Sequence, residues 1–394
     1  MHRRLVLQQF AQAGLALGSS QLLAAGSDRP NFLLVFLRGG YDAAHLLVPV
    51  GSSFYYESRP TLAIAKPSAD ASSALALDSN WGLHPALRET IYPLYQKGQA
   101  AFIPFAGTHD TSRSHFETQD SIELGQAPEA GRNYRSGFLN RLAACLRDSN
   151  AMAFTDRLPL VLQGDVKVPN TALRNVSKPA VDARQSSVIS AMYQGTGLAS
   201  NVEAGFAVRD EVMREMAAEM DAASRNAISA RGFELEARRI ARLMKGRYNL
   251  GFVDVGGWDT HVAQGGATGQ LASRFEELGR GLATFAQEMG AQWRNTTVLV
   301  LSEFGRTFRQ NGNNGTDHGH GSVYWVLGGS LRGGRVVGEQ VAVTQANLFQ
   351  NRDYPVLNDY RAIIGGLLAR QYGLGPTDLN SLFPGAQASD LALL

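Results

Sequence analysis

Three apolar runs of the sequence end in residues that could do chemistry. FLLVFLRGGYDAAH carries Phe32–Leu37 into Arg38, Gly39-Gly40, Asp42 and His45. LGFVDVGGWDTH carries Leu250–Val255 into Gly256-Gly257, Asp259 and His261. TTVLVLSEFGRT carries Thr297–Leu301 into Glu303, Gly305 and Arg306. β-Branched apolar runs of this length read as buried strands. A carboxylate delivered to the end of such a strand is costly unless something neutralises it. Glycines beside it supply positive φ or let backbone approach a ligand. A fourth stretch, NGTDHGHGSVYWVLGG, sets Asp317, His318 and His320 in a Gly-rich loop just before another strand. Carboxylates and imidazoles gathered at one sheet edge would share a cation, and their O and N donors suit Zn, Mn, Fe, Mg or Ca. The candidate ligands are Asp42, Asp259, His261, Glu303, His318 and His320. Each also has an ordinary explanation. An Asp after Gly-Gly is commonly a turn former or helix cap, Glu303 could pair with Arg306, and a loop histidine could be satisfied locally. Recurrence at three strand ends is what favours a shared site.

A nucleophile has its own candidate. AAFIPFAGTHDTSRSHFETQDSIELG reads as strand, loop and helix, with Ser114 where the helix begins and Glu117 three residues on. That spacing is a capping box. The same position suits a nucleophile, because a helix N-terminus stabilises an anion and a nearby metal lowers the pKa of a hydroxyl. Thr111 and Ser112 are rivals. His109, Arg113 and His115 lie close enough in sequence to bind an anionic group, and His115 joins Ser114 as a catalytic candidate. Arg306, Arg113 or Arg38 could hold anionic oxygens in a bidentate grip.

The elements that must position these residues alternate. Strands are expected at Phe32–Leu37, Ala101–Phe105, Leu250–Val255, Thr297–Leu301 and Val323–Leu327. Helices are expected over 83–97, over 271–289, where Leu271, Phe275, Leu278, Leu282 and Phe285 share one face, and along 202–245. This alternation predicts an α/β fold: a three-layer sandwich with a central, mostly parallel sheet. Ligands of such sheets bind beyond the carboxyl ends of the strands.

The chain has 394 residues, 44% hydrophobic and 18% charged, with a formal net charge of +2. That suffices for one large core or two ordinary ones. With no basic stripe interleaved with aromatics, nucleic acid is not an expected partner. The single cysteine, Cys145, excludes an internal disulfide and a cysteine metal cage. Residues 1–27 read as an export leader: Arg3-Arg4, a weakly apolar middle and a small-residue zone ending near Gly26. The paired arginines suggest the twin-arginine export machinery, and hence a periplasmic or secreted protein. No later run reaches about 18 uninterrupted apolar residues, so no membrane span is expected in the mature chain. Residues 28–394 are expected to form one domain, with a lid or insertion at about 125–245.

Together RGGYD, HPAL, SRSHF, GGWDTH, SEFGRT and GTDHGHG…VLGG, behind that leader, resemble the bacterial exported family called domain of unknown function 1501, of the alkaline-phosphatase-like (sulfatase-like) superfamily. The resemblance covers nearly the whole mature chain. It implies an alkaline-phosphatase-like fold, one or two divalent metal ions, and a hydroxyl nucleophile that attacks a phosphate or sulfate ester. By position, Asp42 resembles the acid of the nucleophile-side metal, Ser114 the nucleophile, and Asp259 with His261 the pair of the other metal. Glu303 resembles the acid ending a later strand and His318 the final histidine, with His320 as its alternative. Two departures stand out. Glu303-Phe304 occupies a place where the superfamily often has Asp-His, and Asp259-Thr260-His261 is more tightly spaced than usual. The implied function is an exported metal-dependent hydrolase acting on an anionic ester or glycan. The alternative is a non-catalytic periplasmic or cell-surface binding or assembly protein on the same scaffold. A transferase or mutase using the same covalent intermediate is a third option.

Overall fold

An apolar run becomes a central strand when both of its faces can be covered, and Asn31–Leu37 (β1) shows this most directly. Its side chains alternate between two cores: Phe32, Leu34 and Phe36 enter one, Leu33, Val35 and Leu37 the other. We obtained a computed structural model of the chain. It describes residues 29–171, apart from Pro128, Ala130 and Arg147, and residues 232–394; between them it describes residues 192, 194–197, 199 and 228–229. The expected leader at 1–27 lies outside the described residues, as does most of the helical stretch expected before residue 232.

We label the main strands of the large sheet in chain order: β1, Ala100–Gly107 (β2), Ala151–Ala153 (β3), Leu250–Gly256 (β4), Thr296–Ser302 (β5), Ser322–Gly328 (β6) and Arg335–Val336 (β7). Their order is β7-β2-β6-β5-β1-β4-β3; Asn358–Asp359 also pairs with β2 and Ile228–Ser229 with β4. Every pairing is parallel except those of β6, which runs antiparallel to both β2 and β5. The sheet is therefore mostly parallel, as expected, with one reversed strand in its interior.

Helices cover both faces. On one side lie Phe233–Gly246 (α3) and Gln270–Met289 (α4), whose Phe233, Ile240, Leu271, Phe275, Leu278 and Leu282 share a core with Leu33 and Val35. The five apolar positions singled out on α4 are all buried. A glycine inside a helix costs about 1 kcal/mol relative to alanine, and Gly281 has a packing reason to be one. A Cβ there would stand 2.3 Å from the Phe233 ring of α3. On the other side, His115–Leu124 (α1), Phe138–Cys145 (α2) and Tyr360–Tyr372 (α5) contribute Ile122, Phe138, Leu139, Ile363 and Ile364 to the second core. The described parts of 125–245 thus contribute α2, β3 and α3 to the three layers.

One expected element differs. Residues 83–97 form a short 3₁₀ turn, Pro85–Leu87, and a separate helix, Ile91–Gln96, rather than one helix. Pro93 explains the break. Its ring would clash with the carbonyl four residues back in a continuous helix, but it is tolerated in a first turn. Leu47–Val48, Leu75–Ala76 and Gly82–Leu83 make a small antiparallel sheet beside the main one.

Candidate metal centre

The register of the sheet builds the site. Leu37 pairs with Val255 on one side and with Ser302 on the other, so β1, β4 and β5 end level with one another. The loop after β4 brings Asp259 and His261, the turn after β5 brings Glu303, and the loop before β6 brings Asp317 and His318. Strand β2 leads through residues 108–114 to His115, the first residue of α1.

Three imidazoles and one carboxylate converge there. His318 Nε2 lies 2.9 Å from His115 Nε2 and 3.1 Å from His261 Nε2. Asp259 Oδ1 is 2.9 Å from His261 Nε2 and 3.5 Å from His318 Nε2, and its Oδ2 is 3.5 Å from His115 Nε2. Asp259 is buried, and Oδ2 has no hydrogen-bond partner among the described residues. Each ring is held from behind. His115 Nδ1 faces Glu303 Oε1 at 2.8 Å, His261 Nδ1 faces Asp317 Oδ1 at 3.1 Å, and His318 Nδ1 faces the Arg113 carbonyl at 3.2 Å. These acceptors assign the Nδ1–H tautomer to each ring. The Nε2 atoms of His115 and His318 then face each other and Asp259, while His261 Nε2 faces His318 and Asp259 Oδ1 and also lies 3.4 Å from Arg306 Nη1. A cation at their common centre would satisfy these atoms together, in place of the protons that the carboxylates otherwise draw onto His115 and His261. A histidine ligand that donates its other ring N–H to a carboxylate or carbonyl is the usual arrangement behind a bound metal. His115, Asp259 and His318 each offer a donor atom within 4.8 Å of the others. The residues present fit a divalent metal.

The electrostatics agree. Burial alone would lower the His115 imidazole, but the carboxylates of Asp259 and Glu303 outweigh it and push it up to about 9. Burial would raise Asp259, yet Arg306 and the three histidines hold it far below the carboxylate range. Glu303 likewise resists burial through His115 and Gln119 and falls to about 2. His261 holds Asp317 down to about 2. The site is one in which positive charge at the centre is strongly favoured.

Several candidates take other places. Asp42 does not face the cluster: Arg59 grips its oxygens with Nη1 and Nη2 at 2.5 and 3.0 Å, and Gln264 donates to it at 2.7 Å. Both partners are buried, so the acid expected to bind a metal is neutralised by an arginine instead. Glu303 stands one step behind the centre. It accepts from Gly39 N, Gln119 Nε2 and His115 Nδ1, each at 2.8 Å. His320 is turned away and packs on Phe349, with ring centroids 4.8 Å apart. His115, expected to act beside Ser114, lies in the cluster itself. Ser114 precedes it at the start of α1, but the capping box is not formed; its side chain makes no capping bond.

The three arginines expected to grip an anion are committed. Arg306 is buried and donates to the Gly39, Gly40 and Thr316 carbonyls and to Asp259. Arg38 binds Asp254, Gln119 and Glu123. Arg113 binds Asp353 and Gln350. Sequence patterning missed Arg59, which sits in an unremarkable helix-to-loop stretch. It also missed Gln119, whose only signal is its place one turn after His115.

A family model described as protein of unknown function (DUF1501) matches residues 29–383. The chain belongs to this family. The match spans every strand and residue of the DUF1501 site described above. None of the curated proteins matches the sequence. Solved structures resemble the DUF1501 chain distantly. Ps i-CgsB in complex with k-i-k-neocarrahexaose gives a TM-score of 0.42 at 9% identity, over 93% of this chain and 76% of that one. A protein in the alkaline phosphatase superfamily from Vibrio parahaemolyticus gives 0.40 at 11% identity, over 87% and 66%. A 2-O GAG sulfatase gives 0.41 at 10% identity, over 92% and 76%. Likeness at this level decides nothing about the chemistry, which rests on the residues.

Proposed function

We propose that this protein is a metal-dependent hydrolase of a phosphate or sulfate ester, with one divalent metal held by His115, His261, His318 and Asp259. The observation that carries the proposal is the convergence of three Nε2 atoms on a buried Asp259, whose Oδ2 has no hydrogen-bond partner among the described residues. A donor set rich in imidazole suits Zn, Fe or Mn better than Mg or Ca. When bound, such a metal polarises an ester oxygen and lowers the pKa of a hydroxyl or water. The protein's own groups do the rest. Glu303, Asp317 and the Arg113 carbonyl fix the rings, and Arg306 neutralises Asp259 from the side away from Oδ2. Ser114, next to His115 in the chain, supplies a hydroxyl that no cap engages. One metal rather than two is the reading that Asp42 favours, since Arg59 already holds both of its oxygens.

The export leader at 1–27 would put this activity in the periplasm or outside the cell, with residues 28–394 forming one alkaline-phosphatase-like domain. Among the described residues no helix is long and apolar enough to cross a membrane. The test is elemental mass spectrometry on protein purified without chelator, beside a screen of phosphate and sulfate esters. One equivalent of metal is expected in the wild type and in His320→Ala. His318→Ala should lose both metal and turnover. A metal-free wild type that no added Zn, Mn or Fe stabilises against heat would refute the proposal and leave the binding or assembly alternative.

A further inference from the structure

A substrate with an anionic group needs a cation free to meet it, and around the centre almost every arginine is spent. Arg306, Arg59, Arg38 and Arg113 all have acceptors for their guanidinium groups. Arg274, in the first turns of α4, differs. Its Nη1 is buried without a hydrogen-bond partner among the described residues. The guanidinium rests against Gly257 at the end of β4, and a Cβ there would stand 3.3 Å from Nη1 and 3.4 Å from Cζ. Gly257 also has φ +88°, so both the backbone and the arginine call for glycine. Burial pulls Arg274 down to about 10; Asp259 draws it up and Arg306 pushes it back, which puts it within electrostatic reach of the centre. Arg274 is half-buried, and a guanidinium nitrogen buried without an acceptor is a cost to the fold. A guanidinium is suited to oxoanions, which accept its forked donors.

We propose that Arg274 is the anion-binding residue of this site, and that the group it takes is a sulfate or phosphate oxoanion brought to the Gly257 edge of the cluster. This rests on the hydrolase reading, but it makes a separate claim about binding.

The probes are inorganic sulfate and inorganic phosphate. They are titrated calorimetrically into the full-length protein against chloride at constant ionic strength, with metal content and melting temperature measured on the same samples. Wild type is expected to bind at least one of the two anions. Arg274→Met should weaken that binding at least about tenfold, the scale of one charge-assisted hydrogen bond. Arg274→Lys, which keeps the charge but loses the fork, should fall between. In the absence of anion, Arg274→Met should retain its metal and melt no lower than wild type, since it removes a buried nitrogen that no acceptor satisfies. A structural arginine would behave in the opposite way. Anion binding unchanged in Arg274→Met would overturn the proposal, as would a destabilised variant or a wild type that binds neither anion. Ester turnover is not read here, so an inactive or metal-free protein that still binds anions through Arg274 would sink the hydrolase reading alone.

Discussion

Glu303→Gln separates orientation from charge at the centre. The carboxylate is fully buried, and Oε1 collects Gly39 N, Gln119 Nε2 and His115 Nδ1 at 2.8 Å each. A glutamine carbonyl can keep those bonds. Its amide would face Ser302 Oγ, which lies 2.8 Å from Oε2 and can turn its proton to the Leu37 carbonyl at 2.5 Å. The shape survives and the charge behind His115 goes. Hydrogen bonds to charged groups are worth roughly 1.5–3 kcal/mol and neutral ones about 0.5–1.5. The ring therefore loses about 1–2 kcal/mol of support, and metal affinity should fall about tenfold, at the lower edge of the range for such partners. Asp317→Asn is the internal control. That carboxylate faces His261 in the same way, but its side chain is 49% exposed, so water screens it and its effect should be smaller. The assay is metal affinity by chelator competition, with far-UV circular dichroism to verify folding. If folded Glu303→Gln held metal as tightly as wild type, or if Asp317→Asn lost more, the orienting role assigned to Glu303 would be wrong.

Three further outcomes are expected. Asp42→Asn breaks a buried pair and strands Arg59, so denaturant unfolding should show a loss of about 3–5 kcal/mol with metal content unchanged; metal loss at undiminished stability would return Asp42 to the ligands. Burial pushes His45 and His84 down to about 4 and about 3, so both fold neutral. In the unfolded chain they take up protons below about pH 6.5, so stability is full above that value and falls as pH drops toward 4. The slope from the pair approaches about 2.7 kcal/mol per pH unit, and equal stabilities in denaturant at pH 6.5 and pH 5 would contradict it. Ser114→Ala should abolish ester turnover while keeping metal and melting temperature, since its side chain caps nothing; full turnover would pass the nucleophile's role to another group.

The strands were legible in the sequence because both faces of the sheet are covered. Phe32–Leu37, Leu250–Val255 and Thr297–Leu301 therefore read as largely apolar runs, broken only by Asp254, each within a residue of its observed span. Asp259, His261 and His318 were legible for the same reason, lying just past or before a strand. What pattern could not give was direction and pairing. Asp42 and Asp259 follow the same Gly-Gly signature, yet one meets Arg59 and the other three imidazoles. The difference lies in Arg59, seventeen residues on, whose Nη1 and Nε reach Asp42 and the Phe308 carbonyl. His318 and His320 stand two residues apart, yet one meets His115 and His261 and the other packs on Phe349, a matter of backbone torsion that composition does not encode. Arg274 was hidden because a basic residue in a helix usually marks a solvated face.

The reversed strand β6 has a consequence for when the centre can exist. Seven parallel residues span about 23 Å. Had Ser322–Gly328 run with its neighbours, the loop before it would have emerged at the opposite edge, and His318 would have stood that far from Asp259. Because the strand runs backward, an upstream loop meets three downstream ones. No contiguous segment carries the donor set: His115 and His318 are 203 positions apart and meet across β2, β6 and β5. A nascent or truncated chain lacking β6 would have no place for the ion. Metal uptake would then report, in a single reading, that the whole sheet has closed.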